Sequence, residues 1–150
     1  MNLLPRFAVV AALTLGAVSF APAQAAVLWA GADLRTNGLD AHVGSALLPI
    51  PFIGTVGIEA GAATSSAAGG LSEVRAGGTL RDLNLPFTGT DAFLSGGLAY
   101  HTAGNTNSGV GIYLEGGLRG PLVGPLGWRA SVKTDTKSGL SAGAGLEVRF

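Results

Sequence analysis

Histidine, glutamate and a few hydroxyls are the side chains this sequence offers for chemistry. It holds two histidines and no cysteine. With no thiol, and with His42 and His101 far apart in the chain, a zinc centre lacks its ligand set, so no metal or cofactor is expected. His42 and Ser45 stand three positions apart, which on a strand sends them to opposite faces. They cannot form a nucleophile–base pair there. His101–Thr102 is the other place where a base adjoins a hydroxyl, and it carries no third group to orient it. Glu59, Glu115 and Glu147 could work as paired carboxylates, but an arginine neutralising each accounts for them as well. The glycine pairs Gly69–Gly70, Gly77–Gly78, Gly96–Gly97 and Gly116–Gly117 do not lead from a strand into a helix, so they make no phosphate cradle. Relief of crowding and bending of a sheet explain them better. No catalytic residue is expected, and the chain reads as a non-enzyme.

The elements that carry these residues alternate with period two. Eight segments run approximately over 27–35, 39–47, 52–63, 71–82, 92–101, 109–119, 126–134 and 140–150. In the last, Leu140, Ala142, Ala144, Leu146, Val148 and Phe150 share a face, opposite Ser141, Gly143, Gly145, Glu147 and Arg149. In the sixth, Val110, Ile112, Leu114 and Leu118 oppose Gly111, Tyr113, Glu115, Gly117 and Arg119. In the seventh, Leu126, Trp128, Ala130 and Val132 oppose Gly127, Arg129, Ser131 and Lys133. The third sets Phe52, Val56, Ile58 and Ala60 against Thr55, Gly57, Glu59 and Gly61. Two segments are less regular: Trp29 falls on the charged side of the first, and Phe93 shares a face with Ser95, Gly97 and His101 in the fifth. The connections alternate between a polar class (36–38, 64–70, 102–108, 135–139) and an apolar, proline-bearing class (48–51, 83–91, 120–125). Strict alternation of two loop classes is what an up-and-down meander gives, one class at each end.

Composition narrows the setting. Met1–Arg6 is a short basic region, Phe7–Phe20 an apolar one, and Ala21–Ala25 ends in a small-x-small pattern. This three-part arrangement predicts a Sec signal peptide over 1–25 and a mature domain over 26–150. The apolar run is too short for a spanning helix, which needs about 20 residues. Charged residues make up 12% of the chain, well under the roughly 25% of soluble domains. Lysine plus arginine and aspartate plus glutamate are equal in number. Removing Arg6 with the leader leaves one excess acid, so no nucleic-acid partner is expected.

Alternation does not by itself say which face is inside. A soluble sandwich or barrel would bury the apolar face, where it could bind a small apolar ligand. An outer-membrane barrel turns that face to lipid and keeps a polar interior. Three features favour the second. Glu59, Glu73, Arg75, Arg81, Glu115, Arg119, Arg129, Lys133, Glu147 and Arg149 all fall on polar faces, mixed in sign and interleaved with glycine. Eight strands enclose a space only wide enough for side chains, and a long side chain beside glycine fits that space. The signs balance closely enough for a paired lumen network. Finally Phe52, Tyr100, Trp128 and Phe150 lie near segment ends on apolar faces, as an interfacial aromatic girdle would.

On these residues the chain resembles the small eight-stranded outer-membrane proteins that include the OmpA transmembrane domain and OmpX. The resemblance covers the mature chain in pattern, and its sharpest element is the final strand. There Gly143, Gly145, Leu146, Val148 and Phe150 match the signal that barrel-assembly machinery reads in that family, with Val148 where an aromatic is common. The resemblance implies insertion by that machinery, the proline turns on the periplasmic side and the polar loops outside. The loops here are short, unlike the long ones that carry adhesion and receptor roles. No segment matches the Ser/His motifs of outer-membrane lipid A acylases and deacylases. The fold expected is an eight-stranded antiparallel up-and-down transmembrane β-barrel. It would be seated in outer-membrane lipid, with a structural or scaffold role in the envelope beside an unidentified partner. A soluble ligand-binding barrel and a narrow outer-membrane channel are the alternatives.

Overall fold

The period-two segments become eight strands that close on themselves. The computed structural model describes residues 27–66, 69–86, 88–102 and 108–150; the expected leader over 1–25 lies outside them. The strands are β1 (Leu28–Arg35), β2 (Gly38–Ile50), β3 (Gly54–Ser65), β4 (Gly70–Leu85), β5 (Thr90–His101), β6 (Gly109–Val123), β7 (Leu126–Asp135) and β8 (Gly139–Arg149). Each pairs antiparallel with its neighbours in sequence, and β8 returns to β1. Closure leaves no unpaired sheet edge. At the seam the backbone N–H of Phe150 donates to Leu28 O at 2.9 Å, and that of Leu28 donates to Phe150 O at 3.3 Å. The expected eight-stranded antiparallel barrel is thus the fold.

The barrel is inverted relative to a soluble protein. The largest fully buried side chains include Arg75, Arg81, Arg129, Lys133, Glu115 and Glu147, while Leu98, Ile112, Leu114 and Leu146 are among the exposed ones. An apolar interior that could receive an apolar ligand is therefore absent among the described residues. The reason is parity: once one residue of a strand faces inward, every second residue must follow.

The ends of the strands depart from expectation at the proline-bearing side. β2, β4 and β6 continue through Leu48–Ile50, Leu83–Leu85 and Gly120–Val123, stretches expected to be loops. β2 and β4 do so past a bulge, between Ala46 and Leu48 and between Leu80 and Leu83, and β6 carries one within this stretch, between Pro121 and Val123. A bulge adds a residue without a ladder partner and re-aims the chain, which lets Pro49 and Pro121 remain in strands although they lack an N–H. Phe52 also moves. Expected on the apolar face of β3, it sits instead in the β2–β3 turn with φ of 68°, a left-handed conformation rare for a bulky residue, and its ring stands wholly exposed.

Candidate functional site

The lumen is where the sequence concentrates its chemistry. Every residue expected in the charge network points into it, and the geometry gives each a partner. Glu147 on β8 gathers the largest set. Arg81 forks onto its two oxygens at 2.6 and 2.5 Å, Arg119 reaches it at 3.2 Å and Arg149 at 3.0 Å. Arg149 stands at the mouth, its side chain 22% exposed. Glu115 on β6 accepts from Arg35 at 2.5 Å and Arg129 at 2.9 Å. Glu59 accepts the indole N–H of Trp29 at 3.0 Å, with Arg81 and Arg129 each 3.4 Å away. Lys133 holds Glu73 through both oxygens at 2.5 and 2.7 Å. Arg75 grips Asp40 with two bonds of 2.7 and 2.8 Å.

Some of these contacts stay between near-neighbour strands, but Arg81 on β4 with Glu147 on β8, and Arg129 on β7 with Glu59 on β3, join opposite walls, so the network crosses the lumen. Arg129 comes within 3.6 Å of Asp33, Glu59, Glu115 and Glu147 together. A guanidinium, planar and permanently charged, can serve several carboxylates at once. Burying any one of these charges alone would cost several kcal/mol; together they compensate one another. The Asp33 carboxylate makes no hydrogen bond and is held by charge, between Arg35 and Arg129 at 3.6 Å each.

Three aromatic rings complete the interior, and sequence reasoning left their roles unread. Trp29, Phe93 and Tyr113 are buried among the charges. Arg81 lies over the Trp29 ring at 3.9 Å, Arg129 over Phe93 at 4.0 Å and Arg75 near Tyr113 at 5.7 Å. Each ring stands across the ladder from a glycine: Trp29 from Gly44, Phe93 from Gly117 and Tyr113 from Gly97. A Cβ on Gly44 would fall 2.3 Å from the Trp29 ring, and one on Gly117 would fall 2.8 Å from Phe93. The missing side chain thus lets the ring lie against the wall, and the ring's outer face receives a cation, a contact worth about 2 kcal/mol when desolvated. Trp29 and Phe93, irregular by sequence pattern, occupy inward positions like the rest of their strands.

Other predicted positions fall as follows. His42 points inward, 3.5 Å from Glu147 and 3.9 Å from Asp33, while Ser45 bonds the Ala46 carbonyl, so the two do not meet. His101 Nε2 lies 3.1 Å from Asp135 Oδ1, and the Thr102 hydroxyl turns away to donate to Leu71 O at 2.8 Å. Glu73, His101 and Asp135 bring ligand-type atoms within 4.8 Å of one another at the polar-loop mouth. Lys133 already stands on Glu73, and Asp135 Oδ1 accepts from the Lys137 and Ser138 backbone at 2.6 and 3.2 Å, so the chain supplies its own cation and donors there. Of the expected girdle, Tyr100 projects outward near the polar-loop end. Trp128 covers Gly120 on the outer wall, where a Cβ would lie 2.5 Å from its indole nitrogen. Phe150 is half-buried at the seam. Of the assembly-signal residues, Leu146 and Val148 lie on the outer wall of β8 and Gly143 faces in, beside Arg35.

No family model matches the chain, and no curated protein does. Among solved structures it is similar to a chain from the de novo design of transmembrane β-barrels. That likeness has a TM-score of 0.58 at 13% identity, covering 85% of this chain and 98% of the other.

Proposed function

We propose that this protein is a small outer-membrane β-barrel with a structural or scaffold role in the cell envelope, closed to solutes by its own salt bridges. The observation that carries the reading is the inversion: an apolar wall facing outward on all eight strands around a lumen of compensated charge. Water would reject that wall, whereas hydrocarbon accepts it, and a closed barrel leaves no backbone group unpaired in lipid. The interior is crossed by Arg81–Glu147 and Arg129–Glu59 pairs, which supports a lumen closed to free solutes. Among the described residues neither histidine has a nucleophile in hydrogen-bond reach, so catalysis finds no support there.

The affinity with the OmpA and OmpX family rests on the eight-stranded meander and on the closing strand. β8, with Gly143, Leu146, Val148 and Phe150, is the segment that barrel-assembly machinery would take. Cell fractionation with a heat-modifiability gel tests the proposal. The protein is expected in the outer-membrane fraction, migrating differently before and after boiling, and a chain lacking Phe150 is expected to reach that fraction in reduced amount. A protein recovered from the soluble periplasm, folded without detergent, would overturn it.

A further inference from the structure

The two ends of the barrel differ in a way that closure does not require. At one end the turns are polar, carrying Thr36 and Asn37 between β1 and β2, and Thr136, Lys137 and Ser138 between β7 and β8. At the other end Pro51, Phe52 and Ile53 join β2 to β3, and Gly124 and Pro125 join β6 to β7 directly after Leu122 and Val123. No charged residue occurs between Leu47 and Thr55 or between Gly120 and Trp128. Phe52 is fully exposed, Val123 is 73% exposed, and Ile53 and Leu122 stand out with them. Turns in water take the polar residues of the first end. The β2–β3 and β6–β7 turns at the second end have the composition of the barrel's outer wall, while Asn84, Thr88 and Asp91 stand beside them at the β4–β5 connection.

We infer that the proline-bearing turns are inserted in the lipid interface of the membrane, so that the barrel is seated off-centre with this end inside the bilayer boundary. The inference rests on the membrane reading proposed above and adds a partner for this surface. Three observations favour lipid. First, the patch is continuous with the outer wall: Leu47, Leu48 and Ile58 lead up to Phe52 without an intervening charge. Second, the β2–β3 turn and the bulged end of β4 border an open cleft of about 650 Å³, where Ile50, Phe52, Ile53, Leu83 and Leu85 stand beside the polar Thr55, Asp82 and Asn84. That mixture of apolar and polar groups suits the boundary between acyl chains and headgroups. Third, Phe52 keeps an unfavourable left-handed backbone while its ring touches solvent. An aromatic ring gains most at the boundary between headgroups and hydrocarbon.

The test is tryptophan quenching by lipids brominated on the acyl chain, with the full mature protein in vesicles. In a Trp128→Phe background only Trp29 remains, and it is sealed in the lumen. Phe52→Trp and Val123→Trp probe two separate turns, so one poorly folding variant does not decide the matter. Leu98→Trp marks the middle of the outer wall and Asn37→Trp the polar end. The inference expects blue-shifted emission and strong quenching at 52 and 123, as at 98, and none at 37. Quenching at 98 but not at 52 or 123 would overturn the inference and leave the membrane reading standing. No quenching at any site would overturn both. Quenching at 52 that fades as protein density in the vesicle rises would assign the turns to a second copy of the chain, and so overturn the lipid assignment.

Discussion

Arg129→Glu is expected to abolish the heat-resistant folded form. Arg129 lies over the Phe93 ring and within 3.6 Å of Asp33, Glu59, Glu115 and Glu147. Removing one partner of a buried ion pair costs about 3–5 kcal/mol, and here a single cation serves four carboxylates. Reversal also adds a fifth negative charge in a space that water does not reach. Several kcal/mol is comparable with the whole stability of an ordinary domain. Arg129→Lys should give an intermediate loss, because an ammonium keeps the charge but cannot fork between Glu59 and Glu115 or stack on the ring. Arg149→Gln should change little, since Arg149 is partly exposed and Glu147 keeps Arg81 and Arg119. Melting of the purified barrel in detergent, followed on a gel as the loss of the compact band, ranks the three. Equal melting of Arg129→Glu and the parent would mean that the lumen is solvated.

Gly97→Val is expected to prevent closure. A Cβ at Gly97 would sit 2.2 Å from the Ala76 carbonyl oxygen and 2.5 Å from the Gly77 Cα. Both atoms are backbone, so no flexible side chain can yield. β4 and β5 approach here with glycine facing glycine at Gly77–Gly97 and Gly78–Gly96, so the two backbones have no side chain between them. Overpacking a tight site costs about 1–3 kcal/mol for modest insertions; valine adds two methyl groups beyond that first collision. Gly78 belongs to the same block but points outward, its nearest neighbour 4.0 Å away, so Gly78→Ala should fold like the parent. Refolding yield into detergent micelles separates the two variants. Equal yields would show that the glycine block is not a steric requirement.

The sequence made the strands and their faces legible, because inward and outward residues alternate and a charge marks the inward set. Arg119 and Glu115 announced the inner wall of β6 in this way, and Leu146 the outer wall of β8. Strand ends at the proline side were not legible. A bulge shifts the parity of β2 before Pro49, and Pro121 immediately precedes the bulge of β6, so both look like loop residues, while Phe52 looks like part of a strand that begins two residues later. The partners within the lumen were hidden for a different reason. Arg129 and Glu59 lie 70 positions apart, and which charges meet across a barrel depends on strand stagger, which no single strand encodes. The same holds for the rings. Trp29 departs from the pattern of its neighbours in sequence, yet opposite Gly44 and beneath Arg81 it has a place that only the register creates.

The proposed function requires the apolar wall to face lipid and the polar wall to lie sealed inside. The absence of cysteine from the chain allows it to be tested directly on β5, where neighbouring residues face opposite ways. Leu94 and Leu98 are exposed, while Ser95 and Ala99 are each 1% exposed. Single variants Leu94→Cys, Ser95→Cys, Leu98→Cys and Ala99→Cys would be folded into lipid vesicles and treated with a lipid-soluble thiol reagent. Modification is expected at 94 and 98, and none at 95 and 99 until the protein is unfolded. Modification at 95 and 99 with protection at 94 and 98 would contradict it, for the apolar wall would then be a core and the charges would face water.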